Sequence, residues 1–182
     1  MADPNPRTLV LGLGNPILTD DGVGIAVERC VAERCASQNG CGGRVVFAEA
    51  SVGGLRLLDL LNGHDSVILI DAIQIPDGLP GDIHCSRLGE RPGRGIADLG
   101  SSPSPNGGST LHAGSTHDFS LPGALAWGRQ HGLELPADDA VLIVAIEAQD
   151  VLTFGETCTP AVSAAIPRAA DVVLGLIEGL NG

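Results

Sequence analysis

Two adjacent carboxylates at Asp20 and Asp21, a third at Asp71 and an imidazole at His117 are the residues of this chain whose types and placement suit chemistry. Asp20 and Asp21 follow an apolar run and a glycine-lined turn, Leu9-Val10-Leu11-Gly12-Leu13-Gly14-Asn15-Pro16-Ile17-Leu18-Thr19-Asp20-Asp21-Gly22-Val23-Gly24. Asp71 ends a second apolar run, Val67-Ile68-Leu69-Ile70, and His117 stands in Ser115-Thr116-His117-Asp118. Two carboxylates and one imidazole form an open ligand set for nickel or zinc, with positions left for water or a substrate ligand. Plainer readings stand beside this one. Asp is a favoured helix N-cap, so Asp21 reads as a cap or as a site carboxylate; Asp20 can supply the cap and release Asp21. His117 fits an ordinary helix start, and His112, five residues earlier, would not share a helical face with it. Asp71 resists a plain reading, because an unpaired carboxylate buried at the end of such a strand costs several kcal/mol. It needs a partner, a metal or the solvent of a cleft.

The turn itself excludes two phosphate-binding motifs. A dinucleotide fingerprint requires a third glycine three positions after Gly14, where this chain has Ile17, and no Gly-Lys-Ser/Thr follows to make a P-loop. What remains is a strand-to-helix turn that presents Asn15, Asp20 and Asp21 at the carboxyl end of a strand, where ligands gather in open α/β sheets. Asp21 and Asp71 can be neighbours there, because parallel strands deliver their carboxyl ends to one edge.

The elements that must position these groups follow from hydrophobic periodicity. Strands are expected at about residues 8–13, 44–50, 66–72 and 140–148, with another at 81–88 placed antiparallel and near the sheet edge. Helices are expected at about 21–36, 55–61, 118–131 and 160–180, the second ended by Asn62-Gly63. Residues 89–115 are rich in Gly, Ser and Pro and read as a long loop that adds little to the core and serves a partner. The alternation predicts one domain over residues 1–182, an α/β three-layer sandwich with a mostly parallel mixed sheet of about five strands and helices on both faces.

Composition narrows the function. The chain has 182 residues, 43% hydrophobic, with 26 glycines, three Phe, one Trp and no Tyr, so it offers little for stacking bases or sugars. A formal net charge of −12 repels nucleic acid and anionic membranes. The five cysteines, Cys30, Cys35, Cys41, Cys85 and Cys158, contain no Cys-x-x-Cys pair and match no standard zinc spacing. They read as structural or incidental thiols of a reducing compartment rather than a disulfide framework. No signal-peptide pattern and no stretch approaching a membrane span is apparent, so a soluble, cytoplasmic protein is expected.

Four blocks carry a resemblance: Gly-Leu-Gly-Asn-Pro-Ile-Leu-Thr-Asp-Asp-Gly-Val-Gly at 12–24, Val-Ile-Leu-Ile-Asp-Ala at 67–72, Ser-Thr-His-Asp-Phe-Ser-Leu at 115–121 and Ile-Glu-Ala-Gln-Asp at 146–150. In this order, over nearly the whole chain, they resemble the nickel-iron hydrogenase maturation proteases. That resemblance implies an endopeptidase that removes the C-terminal extension of a hydrogenase large-subunit precursor once nickel has been inserted. It matches Asp21, Asp71 and His117 to the family's metal-contacting set, with nickel carried by the substrate and serving as the recognition signal. Water would be activated by an Asp, Asp21 or Asp71, acting as general base, or by the metal. The free protein is expected to be monomeric. One departure is Glu49-Ala50-Ser51-Val52-Gly53-Gly54, where many members have Asp-Gly-Gly-Thr-x-Gly; any substrate contact made by that loop differs here.

Two other readings compete. Peptidyl-tRNA hydrolases also open on a strand leading into Gly-Leu-Gly-Asn-Pro, but they would require a catalytic histidine soon after it and a basic surface, and this chain has Asp20-Asp21 and a net charge of −12. A non-catalytic nickel-binding assembly factor would keep the three ligands and never cut the precursor.

Overall fold

The computed structural model describes residues 7–37, 41–42, 44–51, 53, 55–88 and 121–181. In chain order they form β1 (Arg7–Leu13), α1 (Val23–Ser37), β2 (Arg44–Ala50), α2 (Arg56–Leu61), β3 (Ser66–Ile73), β4 (Ile83–Arg87), α3 (Leu121–Gln130), β5 (Val141–Glu147) and α4 (Pro160–Asn181). Single 3-10 turns at Asp20–Gly22 and Asp138–Ala140 lead into α1 and β5. The proposed loop 89–115, with the first residues of the helix expected from 118, lies outside the described residues.

The strands make one sheet in the order β2-β1-β3-β5-β4, parallel except for β4, which runs antiparallel on β5 at the edge. This is the mixed α/β sheet expected from the sequence. β3 is buried along its whole length, because helices cover both of its faces, and its near-continuous apolar run is what such a strand requires. On one face α1 and α4 pack against Val10, Ile68, Ile70, Leu142, Val144 and Ile146. On the other, α2 and α3 cover Leu9, Leu11, Leu13, Val67, Leu69 and Val141. From the carboxyl ends of β1 and β3 the chain departs in opposite directions along the sheet, to β2 and towards β4. That divergence opens a crevice between the two strand ends.

Two expectations need correction. Cys35 and Cys41 form a disulfide across the turn between α1 and β2, with Cα atoms 5.0 Å apart, while Cys30, Cys85 and Cys158 are free. A spacing of six carries no signature, so pairing emerges only when the helix end folds back towards β2. Secondly, α4 is long and apolar enough, by length and composition, to cross a membrane. Here its stripe Val162, Ala165, Ala169, Val173 and Ile177 is buried against the sheet and α1, while Arg168, Asp171 and Glu178 fall outside it.

Candidate active site

The crevice is shaped by close backbone approach. A Cβ on Gly24 would overlap the carbonyl oxygens of Leu13 and Ile70, so the first turn of α1 sits directly on the carboxyl ends of β1 and β3. Gly14 has φ +133°, and a Cβ there would collide with the carbonyl of Asp21. These two glycines fold the 14–24 turn tightly back over the strand ends. The turn is closed by Asp21, whose Oδ2 accepts the backbone N–H of Asn15 at 2.8 Å. Asp21 is half-buried, whereas Asp71, the sixth residue of β3, is 4% exposed.

Asp21 and Asp71 stand close enough for the charge of one to act on the other, as their placement at strand ends predicted. Burial is the main cause that pushes Asp71 up from 3.8 to about 7; the neighbouring Asp21 charge pushes the same way, and the Ala72 N–H, donating to Asp71 Oδ1 at 2.8 Å, opposes them. A carboxyl group poised near neutrality beside a second carboxylate is suited to taking up a cation or exchanging a proton. The arrangement fits a hard-donor contribution to a metal ion brought from outside. Among the described residues no group of three His, Cys, Asp or Glu is assembled as a metal site. His117 lies outside the described residues, as does His112. α3, which begins at Leu121, packs on the face of the sheet that carries Asp71.

The expected helix cap is not found. Asp20 is fully buried and turns away from α1: its Oδ2 accepts the N–H groups of Gln149 and Asp150, each at 2.9 Å, and the Thr159 hydroxyl at 3.0 Å. Its Oδ1 accepts the Thr159 N–H at 2.6 Å. Asp20 is therefore the clamp that fastens the loop after β5 to the site turn. Backbone bonds replace the cap, with Val23 N–H donating to Asp20 O and Gly22 N–H to Leu18 O. Clamping also pairs Leu18 with Phe154 in a short antiparallel bridge and leaves Ile17, Leu152 and Phe154 exposed by 53%, 82% and 79% beside the turn.

The departure at 49–54 is partly visible. Glu49 lies opposite Gly12 in β2, on the α1 side of the sheet, and Arg29 forks its two oxygens at 2.7 and 2.8 Å. Arg29 holds Glu49 below the usual carboxylate range. Glu28, buried against Gly12, is pushed up to about 7, first by burial and then by Glu49. Val52 and Gly54 lie outside the described residues.

Sequence reasoning missed one further polar pair on this edge. His84 in β4 and the buried Glu147 at the end of β5 approach to 2.6 Å. The Ile-Glu-Ala-Gln-Asp block marked Glu147 by position alone; nothing local announced its partner.

Comparison with known proteins agrees with the architecture. No protein-family model matches the chain. An endopeptidase from Escherichia coli superposes with a TM-score of 0.66 and 23% identity over 95% of this chain and 93% of that one. The hydrogenase maturating endopeptidase HybD from E. coli gives 0.62 and 21% over 95% and 93%. The [NiFe] hydrogenase maturation protease HybD from Thermococcus kodakarensis gives 0.59 and 21% over 94% and 99%. Among curated proteins, the hydrogenase expression/formation protein HupD of Rhizobium leguminosarum bv. viciae is 39% identical over 71 residues, 38% of this chain. That match spans about a third (33%) of the relative's length. The chain has the fold of these maturation proteases.

Proposed function

We propose that this chain, with the fold of the hydrogenase maturation proteases, is an endopeptidase that removes the C-terminal extension of a nickel-iron hydrogenase large-subunit precursor after nickel insertion. The observation that carries the reading is the convergence of Asp21 and the buried Asp71 at the crevice between β1 and β3. A carboxyl group held near neutrality by burial is costly to keep ionised, and an approaching cation offsets that cost. In the proposal Asp21, Asp71 and His117 complete the coordination of the nickel ion that the precursor carries. Carboxylate oxygens and an imidazole add to a thiolate-bound ion without displacing its soft ligands. Binding the substrate metal in this way would fix the scissile peptide beside the crevice, which converts hydrolysis into a reaction of positioned partners. The exposed Ile17, Leu152 and Phe154 beside the turn suit an apolar part of the same precursor segment.

The proposal takes the chain as a single domain, monomeric when free and acting in the cytoplasm. Its test is incubation of the purified protein with nickel-loaded precursor, followed by the mass of the large subunit. A loss equal to the C-terminal extension is expected. Stable binding without any mass loss would instead favour a non-catalytic assembly factor.

A further inference from the structure

The face of the sheet that carries Asp71 also carries an oriented imidazole. His84 in β4 lies opposite Ala145 in β5, and Ala145 lies opposite Asp71 in β3, so the three form one row across the sheet with side chains on the same face. Two strand spacings separate His84 from Asp71, roughly 10 Å between Cα atoms. Only the methyl of Ala145 stands between them in the row.

Glu147, two residues beyond Ala145 on the same face, holds the imidazole. Its side chain is 6% exposed and that of His84 23%. The carboxylate is fixed from behind by backbone: a Cβ on Gly78 would overlap Glu147 Oε2, so the turn closed by Gly78 N–H to Ile75 O lies directly against it. Glu147 N–H donates to Asp82 O at 2.9 Å, and its carbonyl accepts Gly81 N–H at 2.8 Å. A carboxylate this enclosed requires a donor, which is His84 Nε2–H at 2.6 Å. Nδ1 is then the nitrogen with the free lone pair, and it has no hydrogen-bond partner among the described residues. A buried carboxylate orienting an imidazole whose other nitrogen is available is the arrangement general acid–base chemistry uses. Among the described residues, the charged groups on neighbouring elements include Asp71 on β3, Asp77 in the turn against Glu147, Asp82 before β4, Asp139 before β5, whose carbonyl accepts from Arg87, and Arg168 on α4, which donates to Gly81 O.

We infer that His84, oriented by Glu147, is the proton carrier for peptide cleavage at the Asp21–Asp71 crevice. Nδ1 accepts a proton from water as the water oxygen bonds to the scissile carbonyl carbon, then delivers it to the amide nitrogen as the C–N bond breaks. The inference rests on the endopeptidase reading; it moves the base from Asp21 or Asp71 to His84 and leaves the two carboxylates to the substrate's metal. Glu147 is the positioning residue: it fixes the tautomer and stabilises the imidazolium while the proton is held.

The test is single-turnover cleavage of nickel-loaded precursor by the wild-type protein and by His84→Gln and Glu147→Gln, with precursor affinity measured beside the rate. His84→Gln should bind precursor normally, cleave roughly 10²- to 10⁴-fold more slowly and regain rate when imidazole is added. Glu147→Gln should bind precursor normally and cleave more slowly, because the imidazole is no longer held in one tautomer and orientation. A His84→Gln protein that cleaves at the wild-type rate, or one whose loss lies entirely in precursor binding, overturns the inference and leaves the endopeptidase reading standing. If His84→Gln fails to fold, Glu147→Gln decides, and a wild-type cleavage rate in that variant overturns the inference. A wild type that binds and never cleaves overturns both.

Discussion

Asp21 lies close enough to Asp71 that its charge adds to burial in holding the Asp71 carboxyl protonated up to about pH 7. The folded state therefore binds this proton more tightly than the unfolded chain, where the ordinary value of 3.8 applies. Between about pH 4 and pH 7 the native state carries the extra proton, so this group makes stability fall as pH rises. The full difference is up to about 4 kcal/mol, from about 1.4 kcal/mol per pH unit. Asp71→Asn, neutral throughout, should match the wild type near pH 4 and exceed it in urea midpoint near pH 8. Glu28, displaced in the same direction, leaves a residual slope in that variant. Identical midpoints at pH 8 would show that Asp71 is not buried as described.

Asp20 and Asp21 should separate cleanly in mutants. Asp20→Ala removes an acceptor of four hydrogen bonds to Gln149, Asp150 and Thr159 and leaves those donors unmatched. A loss of roughly 3–5 kcal/mol in unfolding free energy is expected. Asp21→Ala removes one bond, to Asn15 N–H, and should cost about 1 kcal/mol while abolishing precursor processing. Chemical denaturation measured beside the cleavage assay distinguishes a structural aspartate from a site aspartate.

Asp71→Asn bears on function as well, since it keeps the shape of the side chain and removes its charge. Under the proposed mechanism it stays folded and fails to process the precursor. Normal processing by this variant, read by mass, would remove Asp71 from the site.

Metal dependence divides a substrate-borne nickel from a resident catalytic zinc. Chelator treatment of the protease alone should leave activity intact, whereas a precursor lacking nickel should remain uncut. A zinc enzyme would show the opposite pattern. Cleavage of nickel-free precursor at the normal rate is the result that rejects nickel as the signal.

The Cys35–Cys41 bridge closes a short loop, so its removal should matter modestly. For a separation of six residues, loop-closure entropy gives about 2 kcal/mol. Cys41→Ser should lower the unfolding free energy by that amount and leave precursor cleavage unchanged, because the bridge lies between the end of α1 and the start of β2, away from the carboxyl edge of the sheet. An equal stability with and without the bridge would mean that the unfolded chain gains nothing from the cut.

The sheet, its buried central strand and the antiparallel edge strand were legible in the sequence because each is written in a local pattern: the apolar run Val67–Ile70, the glycines around Asn15, the alternation at 81–88. The convergence of Asp21 and Asp71 was legible too, since both follow strands whose parallel pairing delivers them to one edge. Tertiary structure alone decided what Asp20 does. Asp20 bonds Thr159, 139 positions away, and a hydrogen bond over that distance leaves no periodic trace in either segment. The same holds for His84 and Glu147, 63 positions apart, whose pairing depends on the register of β4 against β5. Burial completes the difference. A local pattern predicts where a carboxylate stands along the chain, but its protonation and its partner are set by which backbone and side chains close over it.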